Sequence, residues 1–166
     1  MTMRFGFPDA AAPASPAPGG APVADLRTLC GLRALAVMLF RDSFEGPVGT
    51  DRSRTVLADA LGPARAGDVL ADWSEFVDLL TRAARRPLMR HGLSCRCVGA
   101  DEAVIAQILL LLGTGEREDA MLMLALLIPG DWMMPAAQAA ERAAPGLMAA
   151  ALHYGRMAPP PSRHIH

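Results

Sequence analysis

Lysine is absent, and all 16 basic residues are arginine. With so much Ala, Gly and Pro beside them, this is the signature of a biased coding composition, so an arginine here is not in itself a sign of phosphate binding. Aromatic residues make up only 5% of the chain, which leaves the core to be built from Leu, Met and Ala through close helix contacts. Cysteine is scarce too: three in 166 residues exclude a secreted disulfide framework and lead us to expect free thiols in the cytoplasm. Long apolar runs are missing. The uncharged runs rich in large apolar residues, Ala103 to Gly115 and Ala120 to Gly130, fall short of the roughly 20 residues that a spanning helix needs, so no membrane span is expected. Met1 to Gly20 holds no continuous apolar core of the secretory kind. Excess charge is also lacking. A formal net charge of -1 gives the whole molecule no field to draw in nucleic acid or an anionic membrane.

What is present reads as one helical domain. Residues 1–22, rich in Ala, Pro and Gly, are expected to form a disordered leader, and residues 156–166 a second tail built around Pro159, Pro160 and Pro161. Between them, residues 23–155 form a single domain, long enough to bury its own core. The expected fold is all-α, an irregular bundle of five or six short helices with a central helical hairpin. Its first helix is placed at Asp25 to Phe40, with Cys30 on the apolar face. A turn follows at Asp42 to Gly49, then short helical material at Ser53 to Leu61, ended by Gly62-Pro63. The clearest amphipathic element is Asp68 to Arg86, where Leu70, Trp73, Phe76 or Val77, Leu80 and Ala84 recur at helical spacing. Carboxylates lead that helix and arginines close it, as the helix dipole favours.

The hairpin is expected from Asp101 through Leu112, a Gly113-Thr114-Gly115 turn, and Glu116 to Ile128. Both arms are apolar around most of their circumference, which predicts a central place or an interface; Leu111, Met121 and Met123 are the candidate interface residues. A last, Ala-rich helix from Met134 to His153 is expected to be divided at Pro145-Gly146. No segment alternates like a strand, and no fixed-period repeat occurs.

One cluster stands above general packing. His91, Cys95 and Cys97 read as H-x3-C-x-C, with thiolate and imidazole, the ligand types that zinc prefers and that also suit copper(I) or an iron-sulfur centre. Three ligands need a fourth, for which Asp101 is the nearest candidate, followed by Glu102, His153 or water. The competing reading makes the two cysteines small apolar groups in a polar loop, and a third makes them a thiol or redox centre beside basic residues. His164, His166 and the paired methionines carry no metal argument of their own.

Around this cluster, Arg82, Arg85, Arg86, Arg90 and Arg96 form a basic segment free of carboxylates, the candidate nucleic-acid contact. Against it, the helix that follows opens with Asp101-Glu102, which would put acid beside phosphates. No serine elbow, phosphate loop or H-E-x-x-H helix is present, and no catalytic residue is assigned. The expected function is therefore a small adaptor or regulatory protein acting through a protein partner or a second copy. The alternatives are a zinc-binding or thiol-based sensor and a DNA-binding regulator.

Overall fold

Prolines and glycines set most of the helix boundaries. In the computed structural model, which describes residues 19–29 and 31–157, the elements in chain order are β1 (Pro22–Asp25), a three-residue 3-10 turn (Leu26–Thr28), α1 (Gly31–Asp42), α2 (Gly46–Leu61), α3 (Pro63–Ala83), β2 (Cys97–Gly99), α4 (Ala100–Thr114), α5 (Arg117–Ala125) and α6 (Gly130–Met157). The expected all-α bundle with a helical hairpin is the fold observed, with six helices.

Asp25 does not open α1. Its carboxylate accepts the Arg27 amide at 2.9 Å and caps the 3-10 turn, and α1 starts six residues later. Cys30, expected in the core, lies outside the described residues. The Gly46-Pro47 stretch, expected as a turn, is the start of α2: a proline in the first turn has no amide to waste and its fixed φ suits a helix. Gly62, at φ 81°, breaks the chain in a conformation that favours glycine, and Pro63 then opens α3. Trp73, Phe76, Val77 and Leu80 are buried on the predicted face of that helix.

The hairpin turn between α4 and α5 closes on Gly115, whose amide donates to Leu111 and Leu112 from a left-handed conformation. The two arms differ in environment. Ile105, Ile108, Leu109, Leu111 and Leu112 of α4 are buried, whereas α5 buries only Ala120 and Leu124.

The last helix is not divided. α6 runs unbroken for 28 residues with Pro135 and Pro145 inside it. Each proline removes one backbone hydrogen bond, a cost that the packing of this helix outweighs. α6 touches each of the other five helices, and Ala136, Ala137, Ala139, Ala140, Ala143 and Ala144 are all fully buried. Small side chains let the helices approach closely. At Gly146 an added Cβ would lie 2.2 Å from Val69 Cγ2, so the predicted breaker is instead the point where α3 and α6 come together.

Two short strands, unforeseen in the sequence, pair antiparallel with Ala24 opposite Val98 and Asp25 opposite Cys97. The pairing extends upstream as loop contacts. Gly19 accepts the Asp101 amide at 3.0 Å and Ala21 accepts the Ala100 amide at 3.1 Å. Residues 19–22, assigned by composition to the leader, thus lie against the start of α4.

Candidate functional site

The loop that carries His91, Cys95 and Cys97 is wrapped around a buried arginine. Arg41, near the C-terminal end of α1, is fully buried, and a guanidinium has five N–H donors to satisfy. Its Nε donates to Glu102 Oε1 at 2.7 Å, and one terminal nitrogen donates to the carbonyls of Gly92 at 3.1 Å and Cys95 at 2.6 Å. The other terminal nitrogen donates to Cys97 O at 2.7 Å and Glu102 Oε2 at 3.0 Å. All five donors are used.

Glu102 is matched as completely. Besides Arg41, its carboxylate accepts the amides of His91 at 3.0 Å and Gly99 at 2.8 Å, so each oxygen receives two hydrogen bonds. Burial by itself would raise the pKa of this carboxyl, but the Arg41 guanidinium and the Gly99 and His91 amides outweigh it and hold the group below the usual carboxylate range. The position explains the amide contact, since a glutamate in the first turn of a helix reaches back to the residue that caps it.

The expected ligand set is only partly brought together. His91 Nδ1 lies 3.7 Å from Cys95 Sγ, and His91 Nε2 lies 3.0 Å from the Gly20 carbonyl. Because a carbonyl only accepts, Nε2 carries a proton, and in the neutral imidazole Nδ1 then turns its lone pair to the thiol. Cys95 is half-buried and Cys97 exposed, both as free thiols. The Cys97 thiol is pushed up, first by its hydrogen bond with Cys95 and then by the charge of that neighbour.

Asp101 faces elsewhere. Its oxygens take both terminal nitrogens of Arg86 at 2.7 Å and the Met89 amide at 2.9 Å. His153 faces Asp59 of α2 at 3.9 Å. Among the described residues, no three His, Cys, Asp or Glu side chains gather as a metal-binding group.

Most of the basic segment is engaged by the chain itself. Arg82 pairs with Asp78, Arg86 with Asp101, and Arg90 with Glu45 at 3.2 Å while lying 5.3 Å over the Phe44 ring. Arg85 donates to the Ile128 carbonyl at 3.4 Å. Arg96 is exposed and, among the described residues, makes no ion pair.

Of the candidate interface residues, Leu111 is buried in the domain's own core, and Met121 and Met123 are half-buried against it. The exposed apolar residues of α5 and its C-cap are Leu122 and Leu126.

A second feature was not found by sequence reasoning. A groove of about 1060 Å³ lies between α1, α2 and the end of α6, walled by Leu35, Met38, Val48, Val56 and Ala151. Tyr154 also lines it, its hydroxyl donating to the Val56 carbonyl at 2.8 Å, as does Arg52, held to Asp42 at 2.6 Å. The sequence marks none of these as a site: Leu35, Met38, Val56 and Ala151 read as ordinary helical residues, Val48 as part of a turn, and Arg52 and Tyr154 lie just outside the expected helices. What joins them is the packing of three helices distant in the chain, for which no local signal exists.

Among the described residues no helix is long and apolar enough to cross a membrane. Comparison with protein-family models, with curated proteins and with solved structures gives no match.

Proposed function

We propose that this protein is a small helical adaptor that holds an amphipathic helix of a partner protein in the groove between α1, α2 and α6. The observation that carries the reading is the groove itself. Its volume of about 1060 Å³ lies at the top of the range of ligand sites and gives room for the side chains along one face of a helix, and its walls are helical and mostly apolar. Leu35, Met38, Val48 and Val56 supply the adaptable apolar lining that receives the anchor residues of a helix at positions i, i+3, i+4 and i+7. Val48 is 64% exposed, an apolar side chain held in water beside a cleft. The charged groups that line it, Arg52 with Asp42 and Asp51 with Arg54, are already paired within the chain, so recognition here rests on apolar contact.

A labelled amphipathic helical peptide with leucines at those four spacings tests the reading by fluorescence anisotropy. The expected result is saturable binding to the wild type and its loss in Val48→Asp. Binding that is the same in both proteins overturns the groove as the site. Saturable binding of an apolar dye together with no binding of the peptide overturns the helical occupant.

A further inference from the structure

The contact between His91 and Cys95 has the parts of an activated thiol. The imidazole is fixed in orientation by the Gly20 carbonyl at 3.0 Å, its unprotonated Nδ1 stands 3.7 Å from Cys95 Sγ, and the thiol is open to solvent on one side. Cys97 is the next residue but one, and in an extended segment such residues share a face. The carbonyls of Cys95 and Cys97 bear this out, since both point at Arg41.

We propose that Cys95 is a peroxide-reactive thiol activated by His91, that Cys97 resolves its oxidised form as an intrachain disulfide, and that this oxidation loosens the hold of Arg41 on the loop and, through β2, the pairing with strand β1. In the first step the Cys95 proton passes to His91 Nδ1 and the thiolate attacks one oxygen of a hydroperoxide. The S–O bond forms, the O–O bond breaks, and the leaving alkoxide or hydroxide takes the proton from the imidazolium. Sulfur loses two electrons and the peroxide gains them, leaving Cys95 as a sulfenic acid and releasing an alcohol or water. In the second step the Cys97 sulfur attacks Cys95 Sγ. The S–S bond forms, the S–O bond breaks, and hydroxide departs with the Cys97 proton as water. In the reduced protein Cys97 holds its proton more tightly than an ordinary thiol, through its hydrogen bond with Cys95 and that neighbour's charge, which speaks against it as the first nucleophile.

The structural consequence follows from reach. Two residues of extended chain place their Cα atoms about 6.6 Å apart, near the upper limit of about 6.8 Å for a disulfide. Closing the ring draws them together and turns the two carbonyls from Arg41. A buried guanidinium then loses partners, and strand β2, which pairs Cys97 with Asp25, shifts with it. The inference stands apart from the groove, and neither depends on the other.

The test uses the full chain with Cys30→Ser, reduced and then exposed to hydrogen peroxide. Intact mass and peptide mapping should show the loss of two hydrogens within the peptide holding Cys95 and Cys97. Adding Cys97→Ser should stop the reaction at a Cys95 sulfenic acid that dimedone traps, formed at least about tenfold faster than on free cysteine, and His91→Gln should remove that advantage. Amide exchange at Ala24 and Val98 should quicken in the oxidised protein. Oxidation at the rate of free cysteine, or first at Cys97, overturns the activated thiol. A disulfide with unchanged exchange at the two strands overturns the coupling. Should His91→Gln fail to fold, the rate in the Cys97→Ser protein against free cysteine decides alone.

Discussion

Helix α1 presents two unlike surfaces within a few residues. Arg41 turns into a cluster in which every donor and every acceptor oxygen is matched, while Leu35 and Met38 turn to a groove that the described residues leave unfilled. The first surface is polar, buried and complete; the second is apolar, open and incomplete. A buried charge tolerates no half measures, because the desolvation of an unpaired ion is far larger than the gain from any one hydrogen bond. An apolar wall tolerates exposure at a moderate and graded cost. The cluster of Arg41 and Glu102, here called the clamp, is therefore where the fold is specified, and the groove is where an occupant, on the reading proposed above, would recover free energy.

Removing one side of the clamp should produce the largest effect. Arg41→Ala leaves Glu102 buried without its charge partner and is expected to cost about 3 to 5 kcal/mol, read as a shift in the denaturant midpoint. The comparison sharpens with Arg41→Met combined with Glu102→Leu, which removes both charges. The carbonyls of Gly92, Cys95 and Cys97 would remain without donors, at about 1 to 3 kcal/mol for each that stays buried. A double variant as stable as the wild type would show that the ion pair alone mattered and that the loop is not held through its carbonyls.

Acid should break the clamp and spare the groove. Glu102 has its pKa lowered in the folded chain, so below the ordinary glutamate value of about 4.3 the unfolded state binds the proton first. Its contribution to stability is complete above that value and is lost as pH falls through the folded one. Stability measured by denaturant titration across this acid range should fall more steeply in the wild type than in Glu102→Gln, which is weakened at neutral pH but has no proton to take up at that site. Parallel slopes would remove Glu102 from the acid response.

The close approach of α3 and α6 gives the next effect in size. Alanine favours a helix over glycine by about 1 kcal/mol, so propensity alone predicts that Gly146→Ala stabilises. The added Cβ would meet Val69 at 2.2 Å, and overpacking of this kind costs about 1 to 3 kcal/mol. Net destabilisation by thermal unfolding is the expected result, and a gain in stability would mean that the two helices separate without cost.

The same contrast explains what could be read from the chain. Helical periodicity exposed the buried face of α3, since Trp73, Phe76 and Leu80 repeat along one element, and the glycine at 115 marked the hairpin turn. Local rules failed where tertiary contacts decide. Pro145-Gly146 looks like a break until Val69 is placed against it, and the strands of four and three residues are too short to show a period. At the loop, His91 and Cys95, singled out as ligands, lie 3.7 Å apart. Asp101 nevertheless belongs to Arg86, and the centre of the cluster is Arg41, 50 residues upstream of His91 and hidden among apolar neighbours in the sequence. A carboxylate immediately before an apolar helical run could have pointed to a buried partner. Nothing nearby names which arginine.

The smallest expected change in stability tests the groove. Val48 lies on the exposed side of α2, and a charged residue there meets water instead of a packed neighbour, so Val48→Asp should alter unfolding free energy by no more than about 0.5 kcal/mol. Its effect should appear only in binding, as the loss of the helical peptide. The clamp gives the opposite pattern, with large changes in stability whether or not an occupant is present. If Val48→Asp instead destabilises as strongly as a core substitution, the groove is closed in solution and Val48 is part of its packing. The free energy assigned to an occupant would then already be spent within the chain.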